Sequence, residues 1–171
     1  IPALTNMITK QGVGFSDALE TARAVLFHRP YHWMPVQALA TLHTWALAAD
    51  RREELADLCG EAGTTVAALL DEMRADRDLF ETAQGEGVDC DPYPLTTQVA
   101  KVARGSDRFT AFRERVLQLG SDAMMEVGNI YSASLPAWLA AALEEALRNG
   151  EELAGETLLT IGYGSGDAAE A

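Results

Sequence analysis

The sequence predicts an α/β protein in which helices pack on a mostly parallel sheet. Short apolar runs typical of buried strands lie at residues 24–28, 123–127 and 157–163, and helical patterns lie between them. The chain has 171 residues, of which 48% are hydrophobic. That length fits one domain and is enough to bury a substantial core.

The beginning of the chain predicts a helix, a strand and a second helix. The first helix covers residues 15–22, where Ser16 would cap it, and the strand at residues 24–28 follows. Pro35 then stands where the first turn of a helix tolerates proline. Apolar residues recur at helical spacing after it, which predicts an amphipathic helix over residues 35–49.

The middle of the chain is rich in charged helical patterns. Residues 51–83 continue as helix with a break near Gly60, and the stretch "GEGVDCDPYP" is a loop by composition. Two more helices are predicted at residues 95–103 and 107–119. We therefore expect a helical insertion over about residues 51–119 in the α/β layer.

The last part of the chain returns to strands. The strand candidate at residues 123–127 precedes an apolar, Ala-rich helix at residues 133–148, and Gly150 is suited to end that helix. Residues 157–163 read as a buried strand that ends in the glycine turn "GYGSG". The helix is apolar over much of its circumference, so we expect it to be buried on several sides.

The charge of the chain restricts its partners. The formal net charge is −13, which repels polyphosphate backbones and anionic membrane surfaces. No apolar run approaches the roughly 20 residues needed to span a bilayer. We therefore expect neither nucleic acid nor a membrane as a partner.

The two cysteines form no recognisable disulfide framework, which favours a cytoplasmic setting. Cys59 lies in a helical pattern that indicates a small core residue. Cys90 lies between Asp89 and Asp91, whose charges disfavour the thiolate. Neither cysteine is therefore expected to be a nucleophile.

Chemistry-bearing residues follow the three predicted strands. His28 follows the first, Asn129 the second, and the glycine turn at residues 162–166 the third. Ligands gather at the carboxyl ends of strands in open α/β sheets, and an imidazole and a carboxamide can together bind one substrate oxygen. Each feature also has an ordinary structural interpretation, as a hydrogen-bonded histidine, a helix cap and a tight turn. Pro30 prevents a regular helix between His28 and His32, so no metal site is expected there.

Three segments resemble one enzyme family in the same order. The segments are "FHRPYHWMPVQAL", "VGNIYSASLPAWLAAALE" and "AGETLLTIGYGSG". They resemble the F-H-x-P-[YF]-x-K-M segment, the V-G-N-x-Y-[ST]-x-S-L helix start and the S-Y-G-S-G turn of 3-hydroxy-3-methylglutaryl-CoA synthases. The resemblance covers residues 24–49 and 123–166. It implies the thiolase fold, of which this chain would be the carboxy-terminal, layered α/β/α half.

The resemblance also implies roles for individual residues. His28 would hold and protonate the oxygen of an acetoacetyl thioester, and Asn129 would orient that substrate. The other implied substrate-binding residues are Pro30, Tyr31, Tyr131, Gly164, Ser165 and Gly166. The nucleophilic Cys and the general-base Glu of the family belong to the amino-terminal half, so the resemblance implies that half as a partner. Coenzyme A thioesters would be substrates, and neither a cofactor nor a metal is implied.

One departure from the family concerns coenzyme A. Family members usually carry lysines where this chain has Trp33 and Val36-Gln37, and those lysines help to hold the coenzyme's phosphates. Arg29 is the nearest cation and so the candidate phosphate contact. The donor could thus be an acyl-CoA or an acyl carrier protein thioester.

Two other interpretations stay open. A ketoacyl synthase of the chain-initiating type shares a similar glycine-asparagine helix start, and a non-catalytic thiolase-like subunit could bind acyl-CoA or scaffold an assembly. The apolar helix at residues 133–148 predicts a homo- or hetero-oligomer in any of these cases. Its interface should exceed roughly 2,000 Å².

Overall fold

The computed structural model describes residues 7–8, 10, 12–75 and 91–162. In chain order the elements are α1 (Phe15–Thr21), β1 (Ala24–Phe27), α2 (Met34–Asp50), α3 (Arg52–Glu61), α4 (Val66–Arg74), α5 (Pro94–Arg104), α6 (Asp107–Leu117), α7 (Ser121–Val127), a 3₁₀ turn (Tyr131–Ala133), α8 (Ser134–Asn149) and β2 (Leu158–Ile161). The chain is mostly helical with a small parallel sheet, which agrees with the predicted α/β class. In the described ranges, no helix combines the length and the apolar character needed to cross a membrane.

The sheet joins two strands that are far apart in the sequence. β1 and β2 run parallel, with Ala24 opposite Leu158 and Phe27 opposite Ile161. All four residues of β1 are buried, and α6 and α8 pack against it. A continuous Ala-Val-Leu-Phe run is typical of a strand that is covered on both faces. The parallel arrangement predicted for the sheet is confirmed for these two strands.

Buried apolar side chains form two clusters. The larger one joins the sheet to α1, α2, α6, α7 and α8, and the smaller one joins the end of α2 to α3, α4 and α5. We call these regions the sheet layer (β1, β2, α1, α6, α7 and α8) and the helical module (α3, α4 and α5). Phe109 and Val116 of α6 belong to the larger cluster, so the helical module is narrower than the predicted insertion at residues 51–119. Cys59 is a buried core residue of the module, as predicted.

Polar groups inside the helical module satisfy one another. The buried Glu72 carboxylate accepts hydrogen bonds from the backbone N–H groups of Leu95 (2.9 Å) and Thr96 (2.7 Å) and from the Thr96 hydroxyl (2.7 Å). These N–H groups belong to the first turn of α5, where no intrahelical acceptor is available. Thr65 caps α4 by accepting from the N–H of Ala68 at 3.2 Å.

Residues 123–127, predicted as a strand, are helical. They belong to α7, which follows Gly120 at φ 73°, and the Gly120 N–H donates to the Glu145 carboxylate at 2.9 Å. A Cβ atom at Gly120 would lie 2.5 Å from the backbone nitrogen of Ala142, so glycine lets the chain pass close to α8. The strand prediction was wrong because it weighed the apolar Met-Met pair above the helix propensity of alanine, methionine and glutamate.

Ser16 does not cap α1, contrary to the prediction. The helix begins after Gly14, and Ser16 lies inside its first turn with 3% of its surface exposed. Its hydroxyl and its backbone N–H (3.0 Å) both donate to the carboxylate of Asp50 at the end of α2. The acceptor for the start of α1 therefore comes from another helix.

Candidate functional site

The carboxyl ends of β1 and β2 lie side by side. His28 follows β1, and its backbone N–H donates to the carbonyl oxygen of Ile161 at 2.9 Å. Gly162 follows β2, so partly buried His28 lies next to the start of the glycine turn. The predicted residues Gly164, Ser165 and Gly166 fall outside the described residues.

A cavity of about 230 Å³ lies beside the loop that follows β1. Pro30 and Tyr31 line it together with Met124 and Gly128. The loop after His28 thus faces the end of α7 and the residue just before Asn129. Two of the three segments that carry the family resemblance therefore share this cavity.

The third segment reaches the same end of the sheet through α8. A Cβ atom placed on Gly162 would lie 3.9 Å from Cδ2 of Leu135, in the first turn of α8. A side chain at the start of the glycine turn would therefore meet the helix that follows Asn129. All three segments converge on this end of the sheet.

Asn129 holds a turn at the surface. Its side-chain carbonyl accepts a hydrogen bond from the backbone N–H of Tyr131 at 2.9 Å. Gly128, at φ 74° and ψ −156°, adopts a backbone conformation that residues with a Cβ atom rarely adopt. Asn129 was predicted to follow a strand, and this was wrong, because it follows helix α7. Its present hydrogen bond is that of an ordinary turn residue before a helix.

The two tyrosines predicted to bind substrate are both exposed. Tyr131 has φ 54°, the one positive φ among the described non-glycine residues, and 75% of its surface is exposed. Such a backbone conformation costs about 1–2 kcal/mol in a residue with a Cβ atom. Tyr31 is 54% exposed, and its hydroxyl donates to Oε1 of Gln37 at 2.8 Å.

Arg29, the candidate phosphate contact, lies inside the protein. Only 5% of its surface is exposed. Nη1 donates to the Ser121 hydroxyl at 3.1 Å and to the Ser121 carbonyl at 3.3 Å, and Nη2 donates to Nδ1 of His32 at 2.8 Å. The guanidinium carbon lies 5.1 Å from the centre of the Trp138 ring. Burial lowers the pKa of Arg29 from its ordinary value.

This cluster of Arg29, His32, Ser121 and Trp138 was missed by the sequence analysis. Arginine can only donate, so Nδ1 of His32 must be the ring nitrogen that carries the lone pair. The only local indication of the cluster was that Arg29 and His32 are three positions apart in a turn, a spacing that can bring two side chains together. Ser121 joins the cluster only through the tertiary fold.

The described residues contain no group of three or more His, Cys, Asp or Glu side chains that could hold a metal ion. No protein-family model, curated protein or solved structure matches the chain. A functional proposal therefore depends on the side chains at the carboxyl end of the sheet and on the resemblance of the three segments that meet there.

Proposed function

We propose that the chain is the carboxy-terminal, thiolase-like half of a condensing enzyme similar to 3-hydroxy-3-methylglutaryl-CoA synthases. An acetyl group, held as a thioester on a cysteine of the amino-terminal half, loses a proton from its methyl carbon. That carbon attacks the ketone carbon of an acetoacetyl thioester, and water then cleaves the bond to the cysteine. The convergence of the three resembling segments at one end of the sheet is the observation that carries this proposal.

In this proposal His28 acts as the acid. The ketone oxygen gains negative charge as the new carbon–carbon bond forms, and an imidazolium can donate a proton to it. The backbone N–H of His28 is held by Ile161, so the residue is fixed relative to β2. The cavity beside Pro30 and Tyr31 would receive the acetoacetyl group. His28 and Asn129 are not among its lining residues, but His28 directly precedes Arg29 and Asn129 directly follows Gly128, which both line it.

The proposed partner half is supported by exposed apolar surface near the site. The large apolar side chains exposed there are Tyr31, Trp33, Met125, Val127 and Tyr131. On α8, Trp138 and Ala142 are buried, but Leu143 is 47% and Leu147 81% exposed. Contacts within the described chain therefore cover one face of α8 and leave apolar residues on another. Apolar surface of this kind is typical of an interaction site.

A non-catalytic thiolase-like subunit is the second candidate. The observation that favours it is the hydrogen bond between the Asn129 side chain and the Tyr131 N–H, because a turn-holding asparagine needs no substrate. In that case the chain would bind an acyl thioester or scaffold an assembly, and the partner would lack an acylated cysteine.

Denaturing mass spectrometry of the natively purified chain, before and after incubation with acetyl-CoA, tests the proposal. We expect a second chain that gains one acetyl group on a cysteine. A partner that never acquires an acetyl group would contradict condensation and support the scaffold. A chain that purifies alone as a monomer would contradict both forms of the proposal.

The variant His28→Gln in the reconstituted complex tests the role of the histidine. We expect condensation to slow by about 10²–10⁴-fold while acetylation of the partner's cysteine is unchanged. Asn129→Ala should slow condensation too, and Asn149→Ala, at the far end of α8, is the matched control that should not. Equal rates for His28→Gln and the unmodified complex would rule out the acid role.

A further inference from the structure

A second cavity, of about 240 Å³, lies between the start of α2, α6 and α7. Arg29, His32 and Met125 line both this cavity and the one beside Tyr31, so the two cavities are neighbours. The apolar part of the wall comes from Trp33, Val36, Leu117, Met125 and Trp138. This second cavity has no part in the proposed condensation.

The Arg29 guanidinium in this wall has no ion-pair partner among the described residues. A guanidinium stays protonated in proteins, and burying it without a counter-charge is costly. The contacts of Arg29 are the Ser121 hydroxyl and carbonyl, the His32 ring nitrogen and the Trp138 ring, and none of them is a carboxylate. No carboxylate of the described residues forms an ion pair with it.

We propose that this cavity binds a small organic carboxylate with an apolar body, whose carboxylate pairs with Arg29. The planar fork of a guanidinium matches a carboxylate in a two-point hydrogen bond. Two indole rings and aliphatic side chains suit an apolar body rather than a hydrated inorganic ion. This inference is independent of the proposed condensation.

The other charged residues that line the cavity should change its affinity for an anion only slightly. Arg113 and Glu114 pair with each other at 3.5 Å, so they contribute little net charge. Asp122 is exposed and forms no ion pair among the described residues, and it would repel an anion weakly through solvent. We therefore expect the attraction to come from Arg29 and a small opposing effect to come from Asp122.

Tryptophan fluorescence can report this binding directly. Trp33 and Trp138 line the cavity, and Trp45 does not. We expect benzoate to give a saturable change in emission and to raise the midpoint of thermal unfolding. Benzamide, which has the same shape without the charge, should bind at least about tenfold more weakly, because hydrogen bonds to a charged group are stronger than those to a neutral one. Inorganic phosphate should also bind more weakly than benzoate.

Substitutions locate the site. Arg29→Gln should weaken benzoate binding at least about tenfold, and Asp122→Asn should strengthen it slightly. Val36→Phe fills the cavity without touching Arg29, so it should abolish binding even if Arg29→Gln does not fold. Arg148→Gln, an exposed arginine on the same helix as Trp138, is the matched control and should bind as the unmodified protein does.

Several results would overturn the inference. They are equal binding of benzamide or phosphate, undiminished binding by the folded Arg29→Gln or Val36→Phe variant, and no response to benzoate at all. Equal weakening by Arg148→Gln would also overturn it, since that residue lies outside the cavity.

Discussion

In the helical module the buried Glu72 carboxylate accepts three hydrogen bonds, whereas in the sheet layer the buried Ser134 hydroxyl has no partner among the described atoms. The Arg29 guanidinium, in the loop after β1, is buried with no carboxylate of the described residues paired to it. Exposed large apolar residues follow the same division. Those among the described residues lie in the sheet layer or its loops, and α3, α4 and α5 contribute none.

The two regions therefore differ in how completely their buried polar groups and apolar side chains are covered. The helical module packs its core against the end of α2, and its own residues donate the hydrogen bonds to the buried Glu72. In the described part of the sheet layer and its loops, the Ser134 hydroxyl has no partner, Arg29 has no carboxylate partner, and apolar side chains are exposed around the candidate site. A ligand or a second chain could satisfy these groups. Four predictions test how far this contrast holds.

The largest effect is expected at Gly120 in the sheet layer. Gly120→Ala should lower the free energy of unfolding by more than about 3 kcal/mol, because a positive φ is combined with a Cβ atom 2.5 Å from the Ala142 nitrogen. Gly63→Ala in the helical module is the matched control, since Gly63 has φ 71° and open space around it. It should cost about 1 kcal/mol. Equal losses in urea unfolding would show that the approach of α7 to α8 can relax.

The next effect concerns Glu72 in the helical module. Glu72→Ala should lower the free energy of unfolding by about 2–4 kcal/mol. The N–H groups of Leu95 and Thr96 and the Thr96 hydroxyl would lose the carboxylate that accepts their hydrogen bonds. Glu72→Gln keeps one acceptor oxygen and should cost less. Urea denaturation of the two variants measures the difference. If Glu72→Ala is neutral, the module does not depend on internal hydrogen bonding in the way the comparison requires.

Removing one side-chain hydroxyl from each region should change the free energy of unfolding in opposite directions. Ser134→Ala should raise the stability of the isolated chain by about 1 kcal/mol, because it removes a buried hydroxyl without a partner. Thr65→Ala should lower it by about 1 kcal/mol, because it removes the cap of α4. Thermal unfolding of both variants decides the point. A loss at Ser134 would mean that its hydroxyl already has a partner, and the contrast would weaken.

The smallest effect at neutral pH is expected from His43, on α2 between the two regions. It is 9% exposed and lies against the rings of Phe109 and Phe112, and burial, followed by the charge of Arg108, lowers its pKa. The unfolded chain therefore takes up a proton from about pH 6.5 downward while the folded chain does not. The contribution of His43 to the free energy of unfolding is therefore present above that pH and is lost as the pH falls. In urea titrations, His43→Phe should flatten this acid-side slope, and an unchanged slope would assign it to other groups.

Elements with strong local signals were predictable from the sequence. Pro35 at the start of α2 and Gly150 at the end of α8, with φ 70°, lie where their chemistry indicated. The apolar runs of β1 and β2 also indicated two strands of a mostly parallel sheet, although their pairing with each other was not predicted. The neighbourhood of His28 and Gly162 followed from the rule that parallel strands end at the same edge of a sheet.

What could not be predicted depends on contacts between distant residues. α7 forms where Gly120 meets Ala142 and Glu145, and Asp50 replaces the expected Ser16 cap from another helix. The burial of Arg29 depends on Ser121, which lies 92 residues away. No local pattern contains these approaches. The helix before Asn129 is a different case, because the residue types of 123–127 already favoured it locally.

The pairing of β1 with β2 also has a consequence for synthesis on the ribosome. Ala24 and Leu158 are separated by about 130 residues, so β1 emerges long before its partner strand exists. At translation rates of about 5–20 residues per second, the Ala-Val-Leu-Phe run waits on the order of ten seconds. The helical module, with its short-range contacts, can form during that interval. Chaperones that shield nascent apolar segments should therefore engage β1 rather than the module, and closure of the sheet should be the last step of folding.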